Sequence, residues 1–102
     1  MTQFLFAYHG GKPENDDQGS EIMAKWQAWM EAEAAAFVDK GAPVGMSKTV
    51  SSSGTVDNGG VNPVSGYSII EAADIEAACK IAKGCPIHEN GGSIEIAEIM
   101  KM

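Results

Sequence analysis

The stretch that decides the fold is residues 20–41, SEIMAKWQAWMEAEAAAFVDKG. At about 100° per residue, its large apolar side chains share one stripe, formed by Ile22, Met23, Trp26, Trp29, Met30 and Phe37. Ser20 suits the N-cap position, Gly41 suits the left-handed residue that ends a helix, and Pro43 follows where a helix cannot continue. This pattern predicts one long amphipathic helix whose two tryptophans face a sheet.

Alternating apolar residues predict four strands around a second, shorter helix. The predicted strands are residues 2–9, 44–53, 66–71 and 93–100. Asp74 suits the N-cap of a helix over 75–83, which Gly84 ends. The polar segments 10–19 and 54–63 are predicted loops, with Thr55 and Val56 as a short returning strand. The major elements therefore follow the order β-α-β-β-α-β.

This order predicts an α+β fold of the ferredoxin-like type. Right-handed crossovers place the strands in one antiparallel sheet and both helices on one of its faces. The opposite face still carries apolar residues on the first and last strands, so we expect another surface to cover it. A second copy stacked sheet to sheet is the simplest cover, and a monomer with a partly apolar open face is the alternative.

Composition sets further bounds on function. A chain of 102 residues makes a single domain, 1–102, with one modest core. The net charge is −7 and there is no arginine, so the chain would repel polyanions and we expect no nucleic-acid partner. No apolar run approaches a membrane span, and no basic segment precedes the apolar residues of the N-terminus. A cytoplasmic protein with two reduced cysteines, Cys79 and Cys85, is expected.

Several short motifs along the chain occur together in one known family. They are Tyr8-His9-Gly10-Gly11, Trp26-x-x-Trp29, Gly45-Met46-Ser47-Lys48-Thr49-Val50, Asn62-Pro63-Val64-Ser65-Gly66-Tyr67-Ser68-Ile69-Ile70, Lys83-Gly84-Cys85-Pro86 and Gly91-Gly92-Ser93-Ile94-Glu95-Ile96. In their order and spacing the chain resembles the YCII-related proteins of the dimeric α/β-barrel superfamily. The resemblance covers essentially the whole chain and implies a ferredoxin-like protomer, a homodimer, and a cleft between the sheet and the long helix.

The resemblance does not bring a catalytic pattern with it. Some YCII-like members are thought to carry a His-Asp pair with the histidine on the first helix, but residues 20–41 contain no histidine. The Asp-Gly-Pro-Phe signature of another branch is also missing from the sequence. Candidate catalytic residues are therefore chosen by the type and position of the side chains in this sequence.

Two histidines and one glutamate are the candidate catalytic residues. His88 precedes Glu89 in a predicted turn, and His9 ends the first predicted strand beside two glycines. An imidazole at either position could transfer protons near neutral pH. Glu33 falls on the apolar stripe, where a desolvated carboxylate would suit general-base or ligand-binding work. The alternatives are ordinary loop and edge histidines, and a Glu33 that reaches solvent or pairs with a lysine.

The aromatic residues and the cysteines suggest binding rather than a metal centre. Trp26 and Trp29 could line a small-molecule pocket with Tyr8 or Tyr67, or simply pack in the core. Zinc is not expected, because Cys79, Cys85, His88 and His9 are the whole nitrogen and sulfur inventory and lack a second short-spaced pair. No cofactor is predicted.

Three functions remain open at this point. The first is a homodimeric domain that binds a small molecule in a cleft between the long helix and the sheet. The second is a cofactor-free enzyme with His/carboxylate acid-base chemistry, in the manner of isomerases, cyclases or monooxygenases of related fold. The third is a structural interaction module with a filled core beneath the tryptophans.

Overall fold

The computed structural model describes residues 1–11, 16–57 and 63–101, and the side chains of those ranges except 16–19. In chain order, the elements are β1 (Thr2–His9), α1 (Asp16–Ala32), β2 (Phe37–Pro43), β3 (Thr49–Ser51), β4 (Gly54–Val56), β5 (Val64–Ala72), α2 (Ile75–Lys83), a 3₁₀ helix (Pro86–Asn90) and β6 (Ser93–Glu98). Among these residues, no helix is long and apolar enough to cross a membrane.

One four-stranded antiparallel sheet organises the fold. Its strand order is β2-β5-β1-β6, while β3 and β4 form a separate two-stranded ribbon. Each helix connects two strands that another strand separates in the sheet, which is the ferredoxin-like arrangement. The predicted α+β class and the β-α-β-β-α-β order are confirmed.

The core lies between the two helices and one face of the sheet. Phe4, Phe6 and Tyr8 alternate along β1 and are buried, because a strand turns every second side chain to the same face. Their partners in the core come from β5, both helices and the segment after α2, namely Trp29, Ile70, Ala72, Ala78, Ala82, Cys85 and Ile87. Both helices therefore cover the same face, as the sequence predicts.

The opposite face of the sheet carries no helix in the described part of the chain, and we call it the open face. Its residues follow from the same alternation and from the strand register; its apolar members are Leu5, Ala7, Tyr67, Ile69 and Ala97. Leu5 pairs with Ile69 on one side and Ala97 on the other, so these side chains form a continuous row. Leu5 and Ile69 are only half-buried.

The predicted end of the first helix is wrong. α1 ends at Ala32, a turn follows over 33–36, and Phe37 begins β2 instead of continuing the helical stripe. From β2, Phe37 still reaches Trp29, with ring centroids 5.2 Å apart, while its backbone pairs with Ile70 of β5. Helix propensity is a weak preference, and the pairing of an edge strand with β5 overrides it.

The predicted second strand shifts accordingly. Residues 44–48 lie outside any strand, and Thr49–Ser51 pair with Gly54–Val56 in the ribbon, so the prediction of one strand over 44–53 is wrong. The returning strand at Thr55 and Val56 is confirmed. α1 begins at Asp16, so the predicted N-cap at Ser20 and the predicted loop as far as residue 19 are wrong. Residues 12–15 and 58–62, which belong to the two predicted loops, lie outside the described residues. Met23, predicted on the apolar stripe, is exposed.

Gly41 has a different role from the predicted helix end. It lies in β2 with φ +72°, at a bulge where the register moves from Asp39–Ile69 to Ala42–Tyr67. A Cβ at Gly41 would overlap the carbonyl oxygen of Tyr67. The predicted left-handed conformation of Gly41 is confirmed, but it belongs to a strand bulge and the predicted helix end is wrong.

Candidate functional site

The seam between α1 and the sheet contains both tryptophans. Trp29 is buried, and its indole Nε1–H donates a hydrogen bond of 2.9 Å to the carbonyl oxygen of Ile81 on α2. Trp26, one helical turn earlier, is only half-buried. The seam is therefore closed at Trp29 and reaches the surface at Trp26.

Five aromatic rings continue this seam across the core. Neighbouring ring centroids are 6.4 Å apart for Phe6–Tyr8, 4.9 Å for Tyr8–Trp26, 5.7 Å for Trp26–Trp29 and 5.2 Å for Trp29–Phe37. All four pairs meet edge to face, the arrangement that the aromatic quadrupole favours. Both tryptophans thus pack against the aromatic core. We call this row of five rings the aromatic wall; Trp29 lies at its buried part and Trp26 at its surface.

A buried chain of hydroxyl groups lies beneath the wall. The Tyr8 hydroxyl donates to Ser68 Oγ over 2.8 Å, and Ser68 Oγ donates to the carbonyl oxygen of Lys40 over 2.7 Å. Burial raises the pKa of Tyr8 well above its ordinary value, and the hydrogen bond with Ser68 opposes this only in part. The phenol therefore stays neutral and acts as a hydrogen-bonding group inside the fold.

The predicted ligand-binding residues separate into two groups. Tyr8, Trp26 and Trp29 come together on the covered side of the sheet. Tyr67 pairs with Ala7 in the register, so its side chain belongs to the open face, opposite to Tyr8. Ser68, which sequence reasoning missed, takes the polar position beside Tyr8 instead. Its signal is a serine on the same face of the strand as Ile70 and Ala72, which are buried core positions.

The first candidate histidine forms a pair with a carboxylate. His9 Nε2 lies 3.2 Å from Glu95 Oε1 across the β1–β6 register, at the edge of the open face. Since a carboxylate accepts, Nε2 donates in this contact. The His9 side chain is largely buried, whereas Glu95 is exposed. Glu95 was not predicted, because only the strand register brings it to His9.

The other two catalytic candidates lie elsewhere. His88 is in the 3₁₀ helix, where Nε2 donates to the carbonyl oxygen of Ala82 over 3.0 Å. Its neighbour Glu89 pairs with Lys25 of α1 at 2.9 Å. Glu33 is half-buried in the turn after α1, where its backbone N–H donates to the carbonyl oxygen of Trp29. The three candidates thus occupy three separate positions in the fold.

Cys85 is a buried free thiol between α2 and the 3₁₀ helix. Burial raises its pKa to about 12, and a backbone hydrogen bond with Ile87 opposes the shift only in part. Because the thiolate is the nucleophile and the metal ligand, this position suppresses both kinds of chemistry. Over residues 1–11, 16–57 and 63–101, no group of three His, Cys, Asp or Glu side chains is placed to hold a metal ion.

A separate open depression of about 370 Å³ lies where β1 begins and α2 starts. Its lining residues are Thr2, Phe4, Ala73, Asp74, Ile75, Glu76 and Glu98. Asp74 is occupied there as the N-cap of α2, accepting from the backbone N–H of Ala77. The depression is therefore distinct from the tryptophan seam.

Comparison with known proteins adds no assignment, since no protein-family model and no curated protein matches the chain. A function for the chain is therefore inferred from the side-chain geometry at two positions in the fold. One is the seam of Tyr8, Trp26 and Trp29 on the covered side of the sheet. The other is the His9–Glu95 pair at the edge of the open face.

Proposed function

We propose that the chain is a homodimeric binding domain that holds a small, uncharged, flat molecule in the seam between α1 and the sheet. The observation that carries this proposal is the half-buried Trp26, which meets the buried Tyr8 edge to face at 4.9 Å. A tryptophan that reaches the surface beside a closed aromatic wall offers a flat apolar contact that a ligand ring can extend.

The charge around the seam favours an uncharged ligand. The chain carries −7, and the nearby cation Lys25 is already paired with Glu89. An anionic ligand would meet a repulsive field, and a buried cation would need a carboxylate partner. A neutral aromatic or alicyclic molecule avoids both problems.

The dimer part of the proposal rests on the open face. Leu5, Ala7, Tyr67, Ile69 and Ala97 form an apolar surface on a sheet whose other face both helices cover. Apolar patches of this kind are typical of interaction surfaces. A two-fold axis that stacks two open faces would bury the patch once on each protomer and would leave both seams accessible.

The binding proposal is tested by titrating indole, a neutral flat probe, while following the two indole Nε1–H signals by NMR. The chain has two tryptophans, so only two indole signals have to be resolved and assigned. We expect the Trp26 signal to shift and saturate. The Trp29 signal should move much less, because its Nε1–H is already bound to the Ile81 carbonyl oxygen.

Two variants complete the test. Because Trp26→Ala removes the Trp26 indole signal itself, binding to the variants is followed by the backbone amide signals around the seam. Trp26→Ala should abolish their saturable shift, whereas Met23→Ala, an exposed change on the same helix, should leave it intact. Linear, unsaturable shifts in the wild-type protein, or equal responses of the two variants, would refute binding at the seam.

A second candidate function is proton transfer at the open face, and the His9–Glu95 pair favours it. A histidine oriented by a carboxylate is the usual arrangement of a general base. The test is deuterium incorporation from heavy water into the carbon beside the carbonyl of small ketones. His9→Gln should abolish incorporation and His88→Gln should not, because His88 is engaged with Ala82. Incorporation at the uncatalysed rate in the wild type would remove this candidate.

The resemblance to the YCII-related proteins is also proposed rather than established. The sheet order β2-β5-β1-β6 with two helices on one face supports it. The function proposed above does not depend on that resemblance.

A further inference from the structure

The two edge strands of the four-stranded sheet, β2 and β6, are built differently. β2 carries features that keep an edge from pairing with a further strand: two register shifts, the left-handed Gly41, and Pro43 at its end. β6 pairs with β1 over Ser93–Glu98 without a register shift and contains neither proline nor glycine. The sheet is therefore protected against a further strand at β2 and unprotected at β6.

The register determines which backbone groups of β6 point away from the sheet. One residue beyond β6, the N–H of Ile99 donates to the carbonyl oxygen of Gln3 on β1. Because hydrogen-bonded pairs alternate along an antiparallel ladder, the odd-numbered residues of β6 bond to β1 and the even-numbered ones face outward. The outward N–H and C=O groups are those of Ile94, Ile96 and Glu98, and we call them the free edge. Among the described strands, β1 is the one that pairs with β6.

The side chains along the free edge present two apolar groups and two carboxylates. Ile94 and Ile96 lie on the covered side of the sheet, where they pack against the core and stay half-buried. Glu98 follows on the same side and is exposed. Glu95 lies on the open face, and its contact with His9 leaves the glutamate side chain 70% exposed. An added strand would therefore cover the isoleucines and would meet both carboxylates.

The charge of β6 indicates which kind of strand fits. Its charged residues are Glu95 and Glu98. Two copies of β6 paired with each other would place four glutamates and no lysine on one ladder, in chains that each carry −7. Like charges on neighbouring strands destabilise their pairing, whereas opposite charges stabilise it. The free edge therefore disfavours a second copy and favours a strand that carries lysine or arginine.

We infer that β6 accepts an extended, basic peptide segment of a partner protein as an additional antiparallel strand. The register specifies its side chains: basic residues opposite Glu98 and Glu95, and apolar residues opposite Ile96 and Ile94. Backbone hydrogen bonds to the free edge supply the affinity, and the four side-chain positions supply the selectivity. This site is separate from the tryptophan seam, and it does not require the proposed dimer.

The probe for this site is the capped peptide Lys-Thr-Val-Lys-Val-Thr. Its lysines face Glu98 and Glu95, and its valines face Ile96 and Ile94. In NMR titrations of the whole chain, we expect saturable shifts and slower hydrogen exchange for the outward amides of the free edge. Without peptide, these amides should already exchange faster than those of Glu95 and Ala97, which bond to β1.

Methylated peptides give a matched control that leaves the protein unchanged. In the inferred register, the valine N–H groups face β6, while those of the first threonine and the second lysine face away. N-methylation of both valines should abolish binding, and N-methylation of that threonine and lysine should preserve it. The peptide Glu-Thr-Val-Glu-Val-Thr should bind at least about tenfold more weakly than the lysine peptide. Equal effects of the two methylation patterns, or equal binding of the two charge types, would overturn the inference.

Two protein variants test the glutamates. Glu95→Gln/Glu98→Gln should raise the dissociation constant of the lysine peptide by about fivefold, because exposed charge pairs each contribute little. Glu21→Gln/Glu31→Gln removes the same charge from exposed positions on α1 and should raise it by less than about twofold. Equal increases would mean that the peptide is attracted by net charge alone. That result would overturn the inference, as would protection of the free edge that rises with protein concentration in the absence of peptide, since a second copy would then be the occupant.

Discussion

Replacing Gly41 with alanine should be among the most damaging small changes in this protein. Gly41 has φ +72° at the bulge of β2, and its missing side chain leaves room for the carbonyl of Tyr67 on β5. An alanine there meets two separate difficulties. The left-handed conformation is unfavourable for any residue with a Cβ, and the Cβ overlaps a neighbouring backbone.

The magnitude can be worked from these two difficulties. The left-handed conformation costs about 1–2 kcal/mol. Relieving the overlap requires β2 to move away from β5, which weakens about two ladder hydrogen bonds worth about 1 kcal/mol each. We therefore expect Gly41→Ala to lower the free energy of unfolding by about 3–4 kcal/mol.

Gly91→Ala is the matched control. Gly91 has nearly the same φ, +73°, but a Cβ there would meet open space. It should therefore show only the conformational part, about 1–2 kcal/mol. Urea unfolding, followed by tryptophan fluorescence, measures both variants. Equal losses at Gly41 and Gly91 would refute the steric reasoning and leave only the backbone preference.

The bulge also connects to the candidate site. It turns the carbonyl of Lys40 toward Ser68, whose hydroxyl donates to it and accepts from Tyr8. A shift of β2 would break this chain at its end. We therefore expect Gly41→Ala to broaden or move the indole NMR signal of Trp26, which packs on Tyr8.

Four further variants each change a single side chain. Tyr8→Phe should lower the unfolding free energy by about 1 kcal/mol. Ser68→Ala should lower it by about 2–3 kcal/mol, because it removes the partner of both the buried Tyr8 hydroxyl and the Lys40 carbonyl oxygen; urea unfolding measures both variants. Burial raises the pKa of Cys85 from 9.0 to about 12, so the unfolded chain loses that proton first and stability should fall as pH rises from 9 toward 12. Cys85→Ala should flatten that alkaline decline in unfolding experiments, and an unchanged slope would contradict the assignment. Glu33→Leu should leave stability unchanged or raise it in the same unfolding experiments, because the half-buried carboxylate is replaced by an apolar group, whereas clear destabilisation would indicate a paired structural carboxylate.

Much of the fold follows from local pattern. The alternation Phe4, Phe6, Tyr8 predicts a strand with one buried face, and the structure has that strand over the same residues, Thr2–His9. Asp74 predicts the start of α2, and its carboxylate accepts from the backbone N–H of Ala77. Both signals depend on residues close together in the chain, so the sequence carries them directly.

The end of α1 shows where local pattern fails. Residues 33–37 have alanine-rich helical composition, yet Phe37 begins β2 because β5 offers it a backbone partner at Ile70. That partner is remote in sequence, and its attraction exceeds the small helix preference of alanine. The same register converts Gly41 from a helix end to a bulge.

The candidate site divides in the same way. Sequence spacing was sufficient to place Trp26 and Trp29 on the inner side of one helix, because that depends on helical geometry alone. Only the antiparallel register brings Glu95 to His9 and Ser68 to Tyr8, and only the pleat sends Tyr67 to the opposite face. Periodicity acts within one element and is written in the sequence, whereas contacts between elements depend on how the strands pair, which only the tertiary structure decides.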